Sequence, residues 1–274
     1  MYNTPDNQDL VSLSARVMAA CRAIETQRPD GLFNDPLAAI LAGDEIIAKV
    51  APQAQQNEAQ GKPIVVVRTR FFDDFLISKI SQIRQIVILG AGMDTRAFRL
   101  PLHPSTHLYE LDRLEVLHYK ESILGDTASK CHRHSLAIDI KESWSDSLVA
   151  KGYKIEIPTV WLAEGFLYYL NETELHELLR IITKLSTSGS WFLADIMNSF
   201  LVSQSTENLS AHWKYGCDEP ETLLSTYNWK ASVVQVGDEG ANFGRFTYKL
   251  PPRDIPNQPH YFFIKAILNT GSHK

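Results

Sequence analysis

Cysteine is scarce in this 274-residue chain: Cys21, Cys131 and Cys217 are far apart and form no Cys-x-x-Cys pair. Neither a disulfide framework nor a zinc site follows from that spacing, so no metal is expected. No apolar run approaches the roughly 18 residues needed to cross a bilayer. The opening Met1-Tyr2-Asn3-Thr4-Pro5-Asp6 is polar, without the apolar core of a signal peptide. A cytoplasmic protein with no membrane partner is expected. Basic charge is also lacking: the formal net charge is -5, whereas a nucleic-acid binder shows a basic footprint. What remains is 44% hydrophobic residues in a chain of this length, enough to bury a sizeable core in one α/β domain spanning 1–274.

Apolar spacing organises that core. Leu10, Leu13, Val17, Ala20 and Ile24 fall three or four apart and predict a helix over 10–24. Asp35-Pro36 reads as an N-cap followed by proline at the first helical position. Phe71, Phe72, Phe75, Leu76 and Ile80 predict a helix over 66–83, and Gly61-Lys62-Pro63 before it reads as a loop and a hinge for an N-terminal helical cap of about 8–82. Beyond it, strand-like runs at 85–89, 106–111, 134–138, 158–163, 190–196, 231–236 and 260–268 alternate with helical stretches at 113–124, 141–150, 172–186 and part of 199–226. Such alternation predicts a doubly wound, mostly parallel seven-stranded sheet. Only Gly-, Asn- and Pro-rich sequence separates the last two strands, so they should pair antiparallel at the sheet edge.

The first strand, Ile86-Val87-Ile88-Leu89, runs into Gly90-Ala91-Gly92, and the next closes on Tyr109-Glu110-Leu111-Asp112. A glycine turn followed by an acid one strand later is how an open α/β sheet builds a nucleoside pocket. Dinucleotides and S-adenosylmethionine are both bound this way. The dinucleotide fingerprint requires a third glycine, and Thr95 followed by Arg96 stands there instead.

Leu89-Gly90-Ala91-Gly92-Met93-Asp94-Thr95-Arg96 resembles the first motif of class I methyltransferases. Arg68-Thr69-Arg70-Phe71-Phe72-Asp73-Asp74, Tyr109 to Asp112, Ile138-Asp139-Ile140 and Ala163-Glu164-Gly165-Phe166-Leu167-Tyr168-Tyr169-Leu170 extend the likeness. Arg22-Ala23-Ile24-Glu25 and Asn34-Asp35-Pro36 fit as well. Together, from about residue 15 to 196, they resemble the leucine carboxyl methyltransferase family, whose relatives include bacterial O-methyltransferases of polyketide pathways. The resemblance implies a Rossmann-like class I methyltransferase fold with an antiparallel edge strand. It also implies S-adenosylmethionine as cofactor, leaving as S-adenosylhomocysteine.

The same resemblance assigns roles. Arg68 would hold the cofactor carboxylate, for which a bidentate guanidinium is suited. Arg70, two residues on, is a weaker candidate, and Arg22 would reach the same end or an acidic acceptor. Gly90 and Gly92 would lie against the methionine portion. Asp112, rather than its rival Glu110, would accept from the ribose hydroxyls. Asp139 and Ile140 would meet adenine, although Asp139 could equally cap a helix starting at 141. Glu164 would lie near the cofactor ammonium, whereas Asp94 reads as a helix cap.

Tyr168, Tyr169 and His212 are candidates for the acceptor pocket, with core packing the alternative for the tyrosines and a surface position for the histidine. Segment 198–226, carrying Trp213 and Tyr215, would cover the acceptor as an inserted lid. A carboxylate acceptor is already ionised at neutral pH, while a hydroxyl calls for a base. No His–Asp pair stands out, which favours a carboxylate. The expected activity is O-methylation of a carboxylate or hydroxyl of a small molecule in secondary metabolism. A nicotinamide-dependent oxidoreductase and a protein C-terminal carboxyl methyltransferase are the alternatives.

Overall fold

The computed structural model describes residues 7–205, 210 and 212–269. Four helices come first: α1 (Asn7–Thr26), α2 (Ala38–Ala42), α3 (Asp44–Ala59) and α4 (Ile64–Lys79). Then follow β1 (Gln85–Leu89), α5 (Arg96–Arg99), β2 (His107–Asp112), α6 (Leu114–Leu124), β3 (His132–Ala137), α7 (Ser145–Ala150) and β4 (Thr159–Ala163). After a 3₁₀ turn at Leu167–Tyr169 come α8 (Glu172–Lys184), β5 (Trp191–Met197), α9 (Ser199–Ser203), α10 (Pro220–Ser225), β6 (Trp229–Gln235) and β7 (Tyr261–Leu268). Among the described residues no helix is long and apolar enough to cross a membrane.

The seven strands form one sheet in the order β3-β2-β1-β4-β5-β7-β6. β1 to β5 are mutually parallel, and β7 runs antiparallel to both of its neighbours. The last two strands thus pair antiparallel at the edge, as expected. The reversed strand is β7, with β6 lying outside it. The apolar runs of β1 and β4 are buried along their whole length because helices cover both faces, as crossovers between parallel strands require. Ile86 and Ile88 join one core with residues of α1, α4, α5 and α6, while Val87 and Leu89 join the other with residues of α7, α8 and α10. Helix α8 shows the local logic well. Asn171 and Glu174 form a reciprocal capping box, and Leu175, Leu178, Leu179 and Ile182 are buried on one stripe.

Three local expectations change. Asp35 is not an N-cap and Pro36 does not open the next helix. α2 starts at Ala38 without a side-chain cap, and the Asp35 carboxylate is drawn instead onto Arg22 and the Thr95 hydroxyl. The helix expected over 141–150 begins only at Ser145. Asp139 explains the delay, since its carboxylate accepts from Lys141 N–H and its carbonyl from Glu142 N–H, closing a turn rather than a helix. Among the described residues of 198–226, α-helix is limited to α9 and α10, with 3₁₀ conformation at 210 and 212; residues 206–209 and 211 lie outside the described residues.

Gly61, read as part of a hinge, is tied down. Its carbonyl accepts from Thr247 and Tyr248 N–H at 2.9 and 3.0 Å, and the Lys62 ammonium lies 3.7 Å from the Tyr248 ring centre. Helix α4 is a wall of the sheet, its Phe71 and Phe72 rings packed on Phe263 of β7.

Candidate active site

A cavity of about 350 Å³ opens at the C-terminal ends of the parallel strands, where open α/β sheets bind ligands. Its walls come from the turns after β1, β2, β3 and β4, with Ala15, Met18 and Arg22 of α1 on one side and His212 and Lys214 on another. Gly90 and Gly92 have φ of +63° and +48°, which L side chains seldom adopt. A Cβ on Gly90 would lie 2.5 Å from the Phe166 ring, and one on Gly92 would lie 3.1 Å from the Ala15 Cβ. The bare turn therefore lets Phe166 and α1 close around the cavity.

At the end of β2, Asp112 lines the cavity. Its two oxygens accept from Gly92 N–H at 2.6 Å and Arg113 N–H at 2.7 Å, so the carboxylate is oriented yet keeps lone pairs for a ligand. Burial raises its pKa, with the two backbone donors pulling the other way. Glu110, two residues earlier on the same face, is buried against Lys120 and Arg133 and does not reach the cavity. Asp139 and Ile140 line the cavity as well, Asp139 exposed at its mouth.

The opposite end is built from ion pairs. Glu164 ends β4 with Oε1 on Arg68 Nε at 3.1 Å and Oε2 on Arg96 Nη2 at 2.6 Å. Burial would raise its pKa, but Arg96 and Arg68 outweigh that and hold it below the usual carboxylate range. Arg96 also meets Asp94 and Asp73, and Arg99 shares Asp73. Asp94 accepts from Arg96 N–H at the start of α5 but is not its cap, since Thr95 holds that position without a side-chain cap bond. Against the effect of burial, Arg96 and Lys120 bring its pKa down to about 2. Arg22 donates to Asp35 and to the Met93 carbonyl. Four guanidinium groups (Arg22, Arg68, Arg96, Arg99) thus pair with five carboxylates (Asp35, Asp73, Asp94, Glu164, Asp195) in one network.

Arg68 lines the cavity as expected, but the bidentate grip does not hold. Its Nη1 is committed to Asp195 at 3.1 Å and to the Tyr261 hydroxyl at 3.0 Å, and its Nε to Glu164. Among the described residues, Nη2 meets only the Met18 sulfur, at 3.5 Å, a weak acceptor. One donor is therefore open to a ligand. Arg70 points away, onto Asp74 and the Leu32 carbonyl.

Tyr168 is corrected too. It is buried, with its hydroxyl 3.5 Å from Arg68 Nη1, and it sits behind the wall that Tyr169 forms. Burial pushes its pKa up. Arg22, Arg68, Gly90, Gly92, Asp112, Asp139, Ile140, Glu164, Tyr169 and His212 meet around one cavity.

The network also includes residues the sequence reading passed over: Asp73, Arg96, Arg99, Asp195 and Tyr261. One signal was available, because an acid inside the apolar run Trp-Phe-Leu-Ala-Asp-Ile-Met must have a buried partner.

This fold and cavity describe a class I methyltransferase. Residues 15–183 match the model of the leucine carboxyl methyltransferase family, so the chain belongs to that family, whose methyl donor is S-adenosylmethionine. A Streptomyces coelicolor protein with a provisional assignment as an S-adenosyl-L-methionine-dependent methyltransferase is 33% identical over 252 residues, 86% of this chain and 89% of its own. A Parafrankia protein with the same provisional assignment is 40% identical over 189 residues, 66% of this chain and 61% of its own. Among solved structures, a DUF574-family protein from Streptomyces avermitilis superposes with a TM-score of 0.59 at 14% identity, covering 93% of this chain and 97% of its own. A Thermobifida fusca protein provisionally described as a methyltransferase gives 0.61 at 14% identity, over 93% and 94%. These two share the fold.

Proposed function

We propose that the chain methylates a carboxylate or hydroxyl oxygen of a small molecule in secondary metabolism. One observation carries the assignment of the two ends of the cavity: an arginine with a single open donor stands beside a clamped glutamate at one end, and an oriented aspartate beside Ile138 and Ile140 at the other. That donor set fits the cofactor. Arg68 Nη2 takes its carboxylate, Glu164 its ammonium, Asp112 its ribose hydroxyls and Asp139 its adenine amine, with Ile140 against the ring. When bound, S-adenosylmethionine supplies a methyl group made electrophilic by a charged sulfur.

The remaining walls serve the acceptor. Tyr169, Phe166 and Met18 enclose it, and Arg22 and Lys214 favour an anionic group. Holding the acceptor oxygen in line supplies much of the acceleration. A carboxylate needs no base, whereas for a hydroxyl acceptor His212, the imidazole of the cavity wall, takes the proton. The nicotinamide reading loses its support at Thr95, whose hydroxyl is bonded to Asp35 where the dinucleotide fingerprint requires a bare glycine.

Incubating cell extract with methyl-tritiated cofactor tests the assignment. Base-labile label in small molecules indicates a methyl ester, and stable label an ether. Label confined to protein would instead favour the C-terminal carboxyl methyltransferase alternative, and transfer to nitrogen would refute O-methylation.

A further inference from the structure

We infer that Asp195 and Tyr261 are positioning residues for the amino acid end of the cofactor, acting by fixing which nitrogen of Arg68 is offered to it. The inference rests on the reading that Arg68 receives the cofactor carboxylate.

Asp195 is fully buried in the apolar strand β5, where an unpaired carboxylate would be costly. Its Oδ1 accepts from Gly165 N–H at 2.6 Å, and its Oδ2 accepts from Arg68 Nη1 and from the Tyr261 hydroxyl. That hydroxyl in turn accepts from Arg68 Nη1, so the three groups close a ring of hydrogen bonds. With Nε on Glu164, two nitrogens of a rigid planar fork are fixed, and the plane is fixed with them. Nη2 is left beside Met18 and Gly165 of the cavity wall.

Gly165 belongs to the same device. It has φ +68°, and a Cβ there would lie 3.1 Å from Arg68 Nη2. Asp195 thus holds both the guanidinium and the turn that keeps it uncovered. Turning Arg68 to present Nη1 would strand the Asp195 charge in an apolar strand. Neither Asp195 nor Tyr261 lines the cavity, so both act through Arg68 and Gly165.

The experiment is calorimetry on the full chain with two probes. S-Adenosylhomocysteine carries the amino acid end, and 5′-methylthioadenosine has the same nucleoside and thioether without it. Tyr261→Phe leaves net charge unchanged and should weaken S-adenosylhomocysteine by about 10-fold or more while changing methylthioadenosine by less than about 2-fold. Asp195→Asn, in which a donor replaces one acceptor oxygen, should show the same selective loss. Arg68→Lys is the control for the underlying reading.

If Arg68→Lys discriminates between the probes and Tyr261→Phe does not, the positioning role is overturned and the reading of Arg68 stands. Equal loss of both probes in Tyr261→Phe would mean a merely structural part and also overturns the role. If no variant discriminates, including Arg68→Lys, the reading of Arg68 itself fails. Should Asp195→Asn not fold, the affinities of Tyr261→Phe decide.

Discussion

Replacing Asp112 by alanine and, separately, Glu110 by alanine should produce opposite losses, although both acids occupy the same face of β2. Asp112 lines the cavity, held by two backbone donors. On the proposed assignment, its loss removes a charged acceptor for the ribose, a term of about 1.5–3 kcal/mol, or roughly 10- to 150-fold in affinity. The cost in stability is small because water can reach the freed donors, about 1 kcal/mol, or roughly 2–4 °C in Tm. Glu110 makes no contact with the cavity. It neutralises Lys120, which is itself fully buried, and half-neutralises Arg133. Removing one partner of such a buried pair costs about 3–5 kcal/mol, or roughly 6–20 °C in Tm. Calorimetry with S-adenosylhomocysteine and thermal denaturation read the two effects separately. Affinity like that of the parent in Asp112→Ala, or lost affinity without lost stability in Glu110→Ala, would refute the reasoning.

Two further outcomes are expected. Gly90→Ala should lower Tm and abolish cofactor binding, since the left-handed conformation alone costs about 1–2 kcal/mol and the new Cβ meets Phe166. Adding Phe166→Ala should restore part of the stability, and no recovery would disprove the contact. At the other end of the sheet, His107 Nδ1 lies 3.0 Å from His134 Nε2. Burial first, then the neighbouring histidines, hold both pKa values below 6.5. The unfolded chain therefore binds more protons as pH falls below about 6.5, so stability is full above that value and declines beneath it. Tm followed from pH 8 to 5 should fall less steeply in His107→Gln, and an unchanged slope would contradict the assignment.

The central strands β1, β4 and β5 were legible because burial on both faces writes continuous apolar runs. β1 matches its expected bounds, and the other strands match within two residues. Gly90, Asp112 and Glu164 were legible because each ends or follows a strand, where a local rule assigns ligands. Asp35 misled because a preceding turn and a following proline imitate a cap, while its true partners lie 13 and 60 residues away. Tyr168 and Tyr169 could not be told apart, since adjacent residues in a 3₁₀ turn face different ways. The arginine–carboxylate network was hidden for the same reason as Asp35. Its members come from α1, α4, α5, β5, β7 and the turns after β1 and β4, and no spacing rule connects them.

The place of β7 between β5 and β6 carries a consequence for the boundaries of the protein. The family match ends at residue 183, yet Asp195 and Tyr261 lie beyond it. A fragment cut there would keep Arg68 and Glu164 but leave Arg68 Nη1 only its 3.5 Å contact with the Tyr168 hydroxyl. The network around Arg68 therefore extends past the matched span, and a chimera that exchanges the final strands must carry an acid and a phenol at these two positions to keep the Arg68 contacts intact.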